Sequence, residues 1–92
     1  MIWKHKKLGE WKVVEELTQA QTETIFQTHY SLPEQSPIIN NRLMVEAGIE
    51  AGLFTDDIDI AALKPAEIVW LSKKIISYAV DAITVPEEEA KN

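Results

Sequence analysis

The chain predicts an α+β fold that is mainly helical, with an N-terminal β-hairpin packed on about three α-helices in one small domain over residues 1–86. Three observations carry this. Alternation with a period of two marks the first fourteen residues. Apolar side chains recur at helical spacing in three later stretches, and each of those stretches opens on a helix-start signal.

The hairpin lies in IWKHKKLGEWKVV. Trp3, His5 and Lys7 alternate with Ile2, Lys4 and Lys6, and after Leu8-Gly9-Glu10 the residues Trp11 and Val13 alternate with Lys12 and Val14. Gly9 supplies the positive φ that a short hairpin loop needs. Two strands are not stable alone, so Trp3 and Trp11 are expected to anchor one face on the helices. The rival reading, one helix over 10–30, draws on Trp11, Val14 and Leu17, which also fit a helical stripe.

Thr18-Gln-Ala-Gln21 has the form of a capping box and opens a first helix that runs to Tyr30, with Leu17, Ala20, Ile25 and Phe26 expected inward. After the loop SLPEQSP, Ser36 caps a second helix with Pro37 in its first turn. Ile38, Val45 and Ile49 form its stripe, with Ile39 and Leu43 beside it, and Gly52 is its left-handed stop with Leu53 packing back. TDDIDIAAL reads as an acidic connector. Pro65 opens the third helix, with Glu67 near its positive end. Pro86 ends the ordered region, and residues 87–92 read as a mobile acidic tail.

Composition narrows the function classes. Hydrophobic residues make up 46% and charged residues 26%, which is globular rather than disordered. The absence of cysteine removes disulfides, thiolate zinc sites and cysteine nucleophiles. MIWKHKKLGE has a basic start without the apolar run of a leader, and Lys73 and Lys74 interrupt the longest apolar segment; the expectation is a soluble, cytoplasmic protein with no membrane partner. Residues 1–12 carry four lysines against Glu10, a net of +3, while the other eighty carry five basic and fourteen acidic residues, a net of −9. That balance makes nucleic acid an unlikely partner, since phosphate binding rests on clustered positive charge.

No catalytic, cofactor or metal site is expected. His5 and His29 have no partner at ligand spacing. Asp56, Asp57 and Asp59 suggest a calcium loop ending at Glu67, but Ile58 and Ile60 would fill the third and fifth ligand positions and no glycine stands at the turn. Gly9, Gly48 and Gly52 are isolated and make no phosphate-binding loop. The serines have no histidine near them in sequence, so no activated nucleophile is indicated. The chain reads as a non-enzyme without cofactors.

The third helix is apolar on more than one side. Ile68, Leu71, Ile75, Ala79 and Ala82 share one stripe; Val69, Ile76, Val80 and Ile83 share an adjacent one, and Trp70 lies further round. An apolar arc this wide means a helix that is enclosed by its own fold or shared with a partner. The protein-contact candidates are therefore Trp70, Val69, Ile76, Val80 and Ile83, with Trp3 a weaker one, and self-association suits a chain this short.

The order of features resembles that of small tail assembly chaperone-like accessory proteins of long-tailed bacteriophages. The likeness rests on IWKHKKLGEW, then EELTQAQTETI, an Ala-Gly-Ile-Glu-Ala-Gly-Leu segment at 47–53, the acidic connector, Leu-Lys-Pro-Ala-Glu-Ile-Val-Trp-Leu at 63–71, and Val-Pro-Glu at 85–87. It implies a non-enzymatic role in virion assembly in the cytoplasm of a bacterial host cell, through contact with phage tail proteins or with itself. The lysine-rich first strand departs from such acidic chaperones. It leaves open an alternative, a small regulatory module binding nucleic acid or a host protein through the basic hairpin. A small enzyme subunit is a further alternative, which a bound metal or ligand pocket would reveal.

Overall fold

The structure, a computed structural model, describes residues 1–85; Pro86 and the expected acidic tail at 87–92 lie outside the described residues. A two-stranded antiparallel hairpin is followed by three α-helices, as the alternation and the start signals predict.

Strand β1 (Ile2–His5) pairs with β2 (Gly9–Lys12) so that Trp3 faces Trp11 and His5 faces Gly9. The turn is held from within. His5 Nδ1 accepts from the N–H groups of Lys7 and Leu8 at 3.0 and 3.2 Å, and Gly9 has a φ of 129°. Both tryptophans point to the same side and are buried against the helices, so the hairpin reading holds over the single-helix one.

The pairing continues past β2. The Val13 N–H donates to Met1 O at 2.9 Å, and on the opposite side Val13 bridges to Phe54. The Val14 N–H donates to Leu53 O at 2.9 Å and the Thr55 N–H to Lys12 O at 3.0 Å. Leu53, Phe54 and Thr55, where the end of α2 runs into the expected acidic connector, therefore act as a minimal third strand. Its remainder contains a 3-10 turn at Ile60–Ala62, capped by Asp59 Oδ1, which accepts from the Ala61 N–H at 3.2 Å.

Helix α1 (Gln19–Tyr30) opens on the complete capping box: the Gln21 N–H donates to Thr18 Oγ1 and the Thr18 N–H to Gln21 Oε1. Its inward face differs by one step from the expectation. Ala20 is exposed, and Thr22 takes the buried position beside Ile25 because its hydroxyl donates to Thr18 O at 2.8 Å and so can leave water.

Helix α2 (Pro37–Glu50) starts at Ser36 and Pro37, with Ser36 Oγ accepting from the Ile38 N–H. It ends as predicted. Gly52 takes a φ of 78°, the Leu53 N–H donates to Gly48 O, and Leu53 is fully buried. Met44, Val45, Ala47 and Gly48 are buried, whereas Ile38, expected on the inner stripe, stands 71% exposed.

Helix α3 (Pro65–Ala82) begins where the Lys64 N–H donates to Glu67 Oε1 at 2.9 Å. Leu71, Ile75 and Ala79 are fully buried and join Ile25, Met44, Val45, Leu53 and Val13 in one core. Ala82, expected on that stripe, is exposed one turn beyond the core's edge.

Candidate interaction surface

Successive residues of α3 point about 100° apart, so its eighteen residues divide into three sides. The first, Leu71–Ile75–Ala79, is the core face just described. The second carries Trp70, Lys74 and Tyr78 and meets the hairpin. Trp70 lies 5.6 Å from the Trp11 ring and 5.3 Å, edge-on, from His5. Trp3 sits edge-on to Tyr78 at 5.6 Å and to Phe54 at 6.0 Å. The Lys74 ammonium rests 5.5 Å from the Trp3 ring and 5.7 Å from the Trp70 ring. A cation over two aromatic faces is held electrostatically while its methylenes pack on the rings.

Tyr78 closes this side. Its hydroxyl donates to Val14 O at 2.8 Å, joining α3 to the chain beyond β2. Burial pushes its phenol above the ordinary value of 10.0, and the carboxylates of Glu16 and Glu15 push in the same direction.

The third side of α3 is only partly covered. Val69 and Ile76 are half-buried, Ile76 against the core, while Val80 is 45% exposed and the C-cap residue Ile83, just beyond the helix, 61%. At its N-terminal end this side opens into an apolar groove of about 140 Å³ between α2 and α3, where Ile38, Ile39, Leu63, Pro65, Ile68 and Val69 make the walls. Arg42 stands at the groove and holds Glu46 at 2.7 Å.

The contact candidates thus separate. Val69, Ile76, Val80 and Ile83 fall together on the open side. Trp70 is half-buried in the seam with the hairpin, where its ring serves the fold's own packing. Trp3, expected as a weaker contact residue, is buried at 5% exposure with its ring packed edge-on against Phe54 and Tyr78, so it serves the fold's own packing. Ile38 and Ile39 were assigned to the interior by their spacing but belong to the open surface. The missed signal is their place in the first turn of α2: a helix entering the core at an angle leaves its first turn outside.

The basic hairpin is partly neutralised. Lys4 pairs with Glu10 at 3.4 Å and Lys12 with Asp56 at 4.0 Å, all largely exposed. Among the described residues there is no group of three or more metal-ligating side chains, and no helix is long and apolar enough to cross a membrane. Comparison of the chain with protein-family models, curated proteins and solved structures finds no match.

Proposed function

We propose that this protein works without catalysis, by protein–protein contact through the third side of α3 and the first turn of α2. The observation that carries the reading is the exposure of Ile38, Val80 and Ile83 on the surface that also holds the apolar groove. Single exposed apolar residues are ordinary; several sharing one surface with a groove mark a contact site. The resemblance in motif order gives the context, an accessory role in phage tail assembly in which this surface shields or bridges apolar parts of a tail protein. The hairpin is the less favoured surface for a regulatory role, since two of its four lysines, Lys4 and Lys12, are already paired with carboxylates.

The test compares the wild type with Ile38→Asp and Val80→Asp after circular dichroism has shown all three folded. Solution mass is measured by light scattering over a hundredfold concentration range, alone and with purified tail-tube and tape-measure proteins. Association in the wild type that both variants lose supports the reading. Association that neither variant weakens, or none under any condition, rejects it. Salt-sensitive duplex binding that survives both variants moves the function to the hairpin.

A further inference from the structure

Strand β1 has β2 on one side, and its other edge is open. The Val13 N–H donates to Met1 O at 2.9 Å and the Met1 ammonium to Val13 O at 3.0 Å, which fixes the alternation along the strand. Trp3 and His5 therefore bond inward to Trp11 and Gly9, and the N–H and C=O groups of Ile2 and Lys4 point away from β2. Among the described residues these outward groups have no backbone partner. A lysine on an edge strand usually guards it against pairing, but the charge of Lys4 is matched by Glu10 of its own sheet at 3.4 Å.

Helix α3 runs antiparallel beneath this strand, since Trp3 lies against Lys74 and Tyr78 while His5 lies against Trp70. Between the open edge and the helix is a groove of about 380 Å³, with Ile2 and Trp3 on one wall and Lys74, Ser77 and Asp81 on the other. The three α3 residues fall within about 60° of one another round the helix. Lys74 and Asp81 stand about two turns apart, beyond the reach of an i, i+4 pair, and neither forms an ion pair among the described residues. Ser77, small and exposed, stands close to midway between them.

We infer that the chain forms a twofold dimer through the open edge of β1, closed beneath by reciprocal ion pairs between Lys74 and the partner's Asp81. Two β1 edges paired antiparallel about Trp3 set Ile2 against the partner's Lys4, where each N–H donates to the other's carbonyl. The axis of that pairing stands perpendicular to the sheet. It enters the helix layer near Ser77, because Trp3 packs over Lys74 and Tyr78, and it sets the two α3 helices antiparallel. Lys74 then faces the partner's Asp81, and Asp81 faces the partner's Lys74. Edge and helix thus ask for the same axis, which is what an isologous contact requires. The surface is separate from the open side of α3, since Val80 is turned about 100° from Asp81. With this dimer as the starting species, the contact reading above is judged on association beyond two copies or with a tail protein.

The experiment is sedimentation equilibrium of the full chain from about 10 μM to about 1 mM, with amide hydrogen exchange at both ends of that range. A dimer with a dissociation constant below about 1 mM is expected, with the amides of Ile2 and Lys4 slowed about tenfold at the higher concentration. Each variant is first shown folded by circular dichroism. Lys4→Pro deletes an outward N–H and no bond of the β1–β2 ladder, so it should abolish the dimer. Asp81→Lys sets like charges across the axis and should weaken the dimer about tenfold, and adding Lys74→Glu should restore most of that loss. A fold merely damaged by either change would not recover in the pair. A monomer up to about 1 mM, a dimer unchanged in Lys4→Pro, or no recovery in the folded double variant overturns the inference. Ile2 and Lys4 amides that exchange equally fast in monomer and dimer overturn it without any variant. A dimer that Val80→Asp abolishes and Asp81→Lys leaves unchanged also overturns it, and supports the contact reading instead.

Discussion

Tyr78 shows how one side chain carries both packing and a titration. Its hydroxyl bonds to Val14 O, and burial with two nearby carboxylates raises its pKa above 10.0. The folded state therefore favours the protonated phenol. That contribution is whole below pH 10, where the unfolded chain's phenol is also neutral, and is lost as pH climbs through the higher folded value. Tyr78→Phe should cost about 1 kcal/mol at neutral pH by removing the hydrogen bond. The gap between wild type and variant in urea midpoint should narrow above pH 10, and a gap that stays constant to pH 11 would contradict the assignment. Gly48 makes a second residue-scale case. A Cβ there would stand 2.8 Å from Ile75 Cδ1 and 3.3 Å from Cγ1, inside the fully buried core. Alanine improves helix propensity by about 1 kcal/mol but forces this contact, and overpacking typically costs about 1–3 kcal/mol. Gly48→Ala should therefore lower the urea midpoint, and Ile75→Val in the same chain should restore part of it by removing Cδ1.

At the scale of elements, α3 answers why it is apolar on two sides. One side is the core, the hairpin covers Trp70, and a remaining strip stays open. Trp70→Ala removes a half-buried ring that touches Trp11, His5 and Lys74, so a loss of about 3 kcal/mol is expected, at the low end for a buried aromatic. Val80→Asp, on the exposed strip, should stay within about 0.5 kcal/mol of wild type in the same thermal melts. Comparable losses in both variants would mean that the two sides have been wrongly distinguished. These elements were legible because their ends are written locally: Thr18 and Gln21, Ser36 and Pro37, Gly52 and Leu53 each satisfy backbone groups within a few residues. Which side of an element faces inward was less legible. Ala20, Ile38 and Ala82 fit their stripes by spacing, yet a helix crossing a small core at an angle buries only its middle. Spacing reports the face of a helix and says nothing of how far along that face the core extends.

For the molecule as a whole, the seam of hairpin against α3 could be anticipated from two tryptophans on one strand face, but the pairing of Val13 with Phe54 could not. Leu53-Phe-Thr55 is too short to show alternation, and its strand character comes from the free edge that β2 offers. The open surface was half legible. Val69, Ile76 and Val80 sit on one helix, with Ile83 at its C-cap, and declare themselves by period; Ile38 and Ile39 join them only through the packing of α2 beside α3.

The bridge from Val13 to Phe54 has a kinetic consequence. It closes a loop of about forty residues that contains the whole of α1 and α2. Strand β2 cannot gain its second neighbour until both helices have folded back and brought residue 53 to residue 14. The β1–β2 turn closes locally, but two strands are not stable alone, so the three-strand junction persists only with α1 and α2 in place. Opening it means undoing long-range closure rather than fraying a turn. In native-state hydrogen exchange the amides of Val14 and Thr55, bonded across this junction, should open with the same free energy as buried amides in the middle of α2, as members of one cooperative unit.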